Sequence, residues 1–162
     1  MARLEFELEG QKVLSRNLRI LADGVKDMQT EFRQIGDLIE GSAKKNFENQ
    51  GSEGGGKWRP LSAATVKARQ KRTGHYKKAP SGAGANGPIL TWTGNLKNSF
   101  IKKPGKLEVA VGNTADYYKY HQSKNRKGGK LPRRLILELK QNDKRDITAV
   151  LAKGLNKKIR NF

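Results

Sequence analysis

The chain contains no cysteine, which excludes a disulfide framework and a thiolate metal site. It also lacks any apolar run long enough to span a membrane or to form the core of a signal peptide. The expected setting is therefore the cytoplasm, or a particle assembled there, with no membrane contact. Histidines number only two, His75 and His121, and acidic residues are scarce where basic ones are dense. Residues 54–107 hold 12 Lys/Arg and not one Asp or Glu.

That gap organises the charge of the whole chain. Residues 1–53 carry 8 Lys/Arg against 10 Asp/Glu, residues 108–162 carry 14 against 5, and the total is +19. So uneven a distribution implies a surface that meets something acidic, either nucleic acid or an acidic partner protein. With 162 residues the chain suits one domain, 1–162, with a hydrophobic core of its own.

Leu4, Phe6 and Leu8 alternate with three glutamates, the pattern of a strand with one wet face. A helical stripe follows at Val13, Leu14, Leu18 and Leu21, interrupted near Asp23-Gly24. From residue 25 to 47 the spacing of three and four continues, predicting the longest helix of the chain. Residues 49–56, NQGSEGGG, read as a flexible break. Ser62 then caps a helix over residues 63–71. Residues 72–88 are rich in Gly and Pro and read as a mobile basic arm.

Residues 89–100, ILTWTGNLKNSF, return to folded character. Thr93 caps a short helical turn that puts Leu96, Ser99 and Phe100 on one face, and Trp92 lies in or beside the core. Two alternating runs then flank Pro104-Gly105, the signature of a hairpin with a type II turn. Residues 115–122 make one or two helical turns. Leu135, Leu137 and Leu139 alternate as a strand, and Asn142 or Asp143 caps a last helix with Ile147, Val150, Leu151, Leu155 and Ile159 on its apolar face. The expected fold is α+β, a small and mainly antiparallel sheet against a long N-terminal helix and a C-terminal helix, with extended basic loops.

Catalytic chemistry has no foothold in this pattern. His75 falls in the arm, and Asp116 and His121 are five residues apart, off a common helical face. No carboxylate pair, metal-ligand cluster or activated nucleophile is recognisable, and Lys57 is followed by Trp58, against a phosphate loop. The reading is of a protein that is not an enzyme, with no cofactor and no metal. Aromatics among the basic residues could stack bases, but no nucleic-acid consensus accompanies them.

Several short pieces occur in a telling order. They are Gly56-Lys57-Trp58-Arg59-Pro60-Leu61-Ser62 with Thr65, then Ile89-Leu90, Thr93-Gly94, Leu96 and Ser99. Val111-Gly112, Tyr117 with His121-Gln122, and Pro132-Arg133-Arg134 follow. In this the chain resembles the virion morphogenesis (tail completion) family of Mu-like and P2-like phages. Two departures stand out: Ser123 follows His-Gln where the family often has Gly, and the last strand lacks the family's aromatic. The resemblance implies a structural protein of the phage neck in the virion, a homo-oligomeric ring commonly of six subunits. Such a ring joins the head connector to the tail or completes the tail top, beside tail-terminator or tail-tube proteins, with an opening through which genomic DNA can pass. On this reading Trp58, Leu61, Trp92 and Leu96 form the core of the motif. Assembly contacts fall to Lys71, Arg72, Lys77, Lys78, Tyr117, His121, Lys124, Arg126, Lys127, Lys130, Arg133 and Arg134. The competing reading is a free basic nucleic-acid-binding domain.

Overall fold

A computed structural model describes residues 11–51, 56–77, 86–123 and 132–160. Helix α1 (Gln11–Lys26) leads into α2 (Gln29–Glu48), and α3 (Ala63–Gln70) is followed by a 3₁₀ turn at Gly74–Tyr76. A short α4 (Asn95–Asn98) precedes strands β1 (Phe100–Pro104) and β2 (Val109–Asn113); α5 (Tyr118–Gln122) and α6 (Gln141–Arg160) complete the order. The fold is α+β, as the sequence implies. The expected strand over residues 4–8 lies outside the described residues.

Helix α2 is the axis of this arrangement. It buries Ile35, Gly36, Ala43, Asn46 and Phe47. One side takes the antiparallel β1–β2 pair, registered from Phe100 opposite Asn113 to Pro104 opposite Val109. Gly36 lets the hairpin approach closely, since a Cβ there would stand 3.0 Å from Val109 Cγ2. Along the other side α6 runs antiparallel to α2. Ser42 donates to Asp143 Oδ2 at 3.0 Å, Gly154 packs on Glu31, and Lys158 Nζ donates to the Asp27 carbonyl at 2.7 Å.

The two N-terminal helices break at Asp27-Met28 rather than at Asp23-Gly24. Met28 N donates to Lys106 O in the hairpin loop at 2.8 Å, and Asp27 O is taken by Lys158. Groups that would continue the helix are thus engaged by neighbouring elements. Gly24 stays inside α1, where the Lys158 side chain would lie 3.3 Å from a Cβ. Of the apolar stripe on α1, Val13, Leu14 and Leu18 are exposed and Leu21 is partly buried. At 20 residues α2 is as long as α6.

A second cluster, Phe47, Trp58, Leu96, Ala115 and Ile136, fills the space beyond the C-terminal end of α2, with Ile89, Leu90, Phe100 and Tyr118 packed around it. The chain enters it through a tight helix end. Gln50 takes a left-handed conformation (φ 54°), and Gly51 N donates back to Asn46 O at 2.8 Å, a Schellman closure. Gly51 is itself left-handed (φ 84°), and the Trp58 indole occupies the space its side chain would need. The start of the expected flexible break is therefore a fixed corner, while residues 52–55 lie outside the described residues. Trp58 N is held by Gln50 O at 2.7 Å, and the Trp58 ring meets Phe47 edge-on at 5.5 Å.

Three further expectations need correction. Gly105 does not adopt the positive φ of a type II turn; its N–H donates to Glu108 O at 2.8 Å, closing a longer loop that leaves Leu107 exposed. Asp143 does not precede α6 but occupies its third position, where Oδ2 accepts from Lys140 N at 2.8 Å, half of a capping box. Gly94, left-handed at φ 73°, stands at the N-cap of α4, with Thr93 Oγ1 accepting from Asn95 N at 3.3 Å.

The segment 132–140 is not a strand. Its backbone is satisfied by side chains instead of a ladder. Trp58 Nε1 donates to Leu135 O at 3.0 Å and Asn46 Nδ2 to Ile136 O at 2.9 Å. Gln122 Oε1 accepts from Ile136 N at 3.0 Å and Leu137 N at 3.2 Å, while its Nε2 donates to Leu137 O. Buried backbone groups need partners of some kind, and here three side chains supply what a neighbouring strand would. The side that turns inward is also the opposite of the leucine alternation: Ile136 and Arg134 are buried, and Leu139 is half exposed.

Candidate functional site: an arginine cleft

Beside this second cluster opens a cleft of about 590 Å³ whose walls come from five separate stretches of the chain. Residues 59–69 supply one wall. Ser62 caps α3, its Oγ accepting from Thr65 N at 3.2 Å, so the helix starts where the sequence predicts. That start sets Arg69 at the penultimate position of α3, facing the cleft at 5% exposure. The helix then closes with Arg72 left-handed (φ 49°) and Thr73 N donating to Ala68 O at 3.0 Å.

Arg69 gathers the neighbouring pieces. Its guanidinium carbon lies 4.9 Å from the Trp92 ring centre and 5.6 Å from that of Tyr76, and the two rings meet edge-on at 5.1 Å. Arg69 Nη1 donates to Gly87 O at 3.0 Å. Both described ends of the expected mobile arm are thus fastened here, Tyr76 by its ring and Gly87 by its carbonyl; residues 78–85 lie outside the described residues. On the far wall Arg134, also 5% exposed, donates Nη2 to Arg59 O at 2.9 Å, and its own N–H donates to His121 O at 3.1 Å.

The electrostatics of the cleft are one-sided. Arg59, Arg69 and Arg134 all line it, and no Asp or Glu does among the described residues. Burial pushes the Arg134 pKa down from its ordinary value, and the cations of Arg59 and Arg69 push it further. Among the described residues Arg69 Nε, Arg134 Nε and Trp92 Nε1 are buried donors without an acceptor. The ion pairs found among the described residues lie elsewhere, at Lys26–Asp23, Lys44–Glu40, Lys97–Glu48 and Lys102 with Asp37 and Glu40. Leu90, on the rim, holds a left-handed backbone (φ 63°), a strained conformation for a bulky residue.

The residues singled out from the sequence divide accordingly. Trp58 and Leu96 are buried in the cluster, while Leu61 and Trp92 line the cleft and are only partly buried. Tyr117 is 39% exposed on the cleft wall and His121 is buried there. Lys71, Arg72, Lys77 and Arg133 are exposed, whereas Arg134 is buried. Lys78, Lys124, Arg126, Lys127 and Lys130 lie outside the described residues. Sequence reasoning missed Arg69 and Tyr76 as site residues. Arg69 lay unremarked in a basic helix, and Tyr76 in a loop read as mobile. Among the described residues no group of His, Asp and Glu could hold a metal ion, and no helix is long and apolar enough to cross a membrane.

No curated protein and no solved structure matches the chain. The model of the phage virion morphogenesis family matches residues 8–156, from the N-terminal segment to the last turns of α6 and through every wall of the cleft. Matched over most of its length, the chain belongs to the phage virion morphogenesis family.

Proposed function

We propose that the protein is a non-enzymatic structural subunit of the neck of a tailed phage. Copies of it form a ring, six in the expected form, that joins the head connector to the tail or completes the top of the tail. The observation that carries this reading is the family match over residues 8–156. The charge pattern supports it: a first third with surplus acid and a remainder with strong surplus base suit head-to-tail contacts between copies, and such heterologous contacts close rings. The arm of residues 72–88 completes its contacts with a neighbouring subunit or neck protein.

Light scattering on the purified chain, alone and with purified connectors or tails, tests the proposal. A ring, or a monomer that joins connectors, supports it. A two-fold dimer with an isologous interface, or a monomer that binds DNA tightly and with steep salt dependence, overturns it in favour of a free nucleic-acid-binding domain. Charge reversal at Lys77 and Lys78 is expected to slow assembly while leaving DNA affinity unchanged.

A further inference from the structure

Two buried arginines lining one cleft, with no carboxylate beside them among the described residues, are an unusual feature. A buried cation is ordinarily paired, because removing it from water is costly and only an opposite charge with good hydrogen bonds offsets the loss. Arg69 and Arg134 are each 5% exposed, and each leaves its Nε without an acceptor. Arg59 adds a third cation at the mouth, and no carboxylate lines the cleft among the described residues. Trp92 Nε1 is a further buried donor with no acceptor among the described residues. The site has the donors of an anion complex.

We propose that the cleft is a carboxylate-recognition site, in which Arg69 and Arg134 receive a Glu or Asp side chain from an acidic segment of a neighbouring protein chain, with Trp92 and Tyr117 as walls for the apolar residues beside it. A guanidinium presents its donors in a planar fork that fits a carboxylate with two parallel bonds, which a lysine cannot reproduce. Arg69 is already held against the Trp92 and Tyr76 rings and tied to Gly87 O, so little side-chain freedom remains to be lost on binding. The strained Leu90 backbone on the rim fits a wall shaped for an occupant rather than for its own comfort.

Depth decides between a peptide and DNA. A duplex carries its phosphates on the outside of a thick rod, which cannot follow two recessed guanidiniums to the floor of a cleft of about 590 Å³. A carboxylate on a short methylene arm can. The exposed Arg59 would serve a phosphate backbone better than Arg69 and Arg134 do, and the two buried arginines are what needs explaining.

The inference builds on the assembly role proposed above, yet its test needs no ring and no phage particle. An acetylated and amidated peptide with the sequence of residues 4–7, Leu-Glu-Phe-Glu, is titrated into the full-length chain at low salt, with calorimetry and tryptophan emission as readouts. Its counterpart with glutamine for both glutamates serves as control. The acidic peptide is expected to bind saturably below millimolar concentration and at least about tenfold more tightly than the control. The emission change should vanish in Trp92→Phe. Arg69→Lys, which keeps the charge and loses the fork, should weaken binding at least about tenfold.

Should Arg69→Lys or Arg134→Gln fail to fold, Arg59→Glu at an exposed position still reads the site and should abolish binding. Lys157→Gln, on the last turn of α6, should leave it unchanged. Equal binding of the two peptides, no saturation up to millimolar peptide, or binding indifferent to Arg59→Glu each overturns the proposal. So does a short DNA duplex whose affinity collapses in Arg59→Glu while the acidic peptide fails to bind, which assigns the cleft to nucleic acid. Failure of ring formation with intact peptide binding would strike the neck reading alone.

Discussion

Trp58 lies 6% exposed, edge-on to Phe47, with its indole N–H donated to Leu135 O at 3.0 Å. Trp92 is only partly buried, lies against Arg69 and edge-on to Tyr76, and has no acceptor among the described residues for its own buried N–H. The two cases stand for two regions. Around Trp58 every strong polar group has been matched: Asn46, Gln50 and Gln122 turn their amides to backbone that has no ladder partner. Around Trp92 cations and donors accumulate unmatched. A fully satisfied region is built to hold shape, whereas a region of orphaned donors is built to receive something.

The comparison makes its largest prediction at the first tryptophan. Trp58→Ala should lower the free energy of unfolding by about 3–5 kcal/mol in chemical denaturation, since it opens a cavity against Phe47 and strips Leu135 of its donor. Gly51→Ala should approach that loss, because its left-handed backbone and the indole above it leave no room for a methyl group. A loss well under 1 kcal/mol for either would show that this corner yields, and the contrast would collapse.

Next comes Gln122→Leu, which keeps the side-chain volume and removes three hydrogen bonds to residues 136 and 137. A cost of about 2 kcal/mol is expected from the backbone groups it strands, together with faster amide exchange at Ile136 and Leu137. Unchanged exchange would mean that water replaces the amide without loss. Ser62→Ala should cost about 1 kcal/mol through the lost cap of α3, read by the same denaturation.

The smallest effect is electrostatic and lies at the ion pairs between α2 and the hairpin. Hydrogen bonds from Lys102 and then Lys44 hold the Glu40 carboxyl below the ordinary glutamate range, and Asp37 and Glu40 hold Lys102 above the ordinary lysine value. For Glu40 the stabilisation is complete above its ordinary pKa and is lost as pH falls through the lowered one. For Lys102 it is complete below the ordinary value and lost as pH rises through the raised one. Lys102→Met should flatten both limbs of the stability–pH curve, by less than about 1 kcal/mol given how exposed Lys102 and Asp37 are. Identical curves for the two proteins would remove this network from the account.

Elements whose signals are local were legible in the sequence. The Ser62 cap, the hairpin and the face of α2 depend on residues within a few positions of one another. The segment 134–140 misled because leucine alternation describes any extended chain with two faces, and whether a strand or a set of side chains satisfies its backbone is decided by Trp58, Asn46 and Gln122 far away in sequence. The cleft was hidden for the same reason. Arg69, Tyr76, Trp92, Tyr117 and Arg134 converge from separate stretches, and no spacing rule connects them. Family motif residues flagged its rim at Leu61 and Trp92 but not its floor at Arg69.

The most direct test measures stability and assembly together on the second tryptophan. Trp92→Leu is made in the full chain, and its unfolding free energy is compared with its incorporation into phage particles or connector complexes. The account predicts a stability loss of no more than about 2 kcal/mol, the worth of one partly desolvated cation–π contact, alongside incorporation reduced at least about tenfold. Normal incorporation, or a loss of incorporation no greater than the loss of folded protein, would contradict it and make the cleft one more piece of structure.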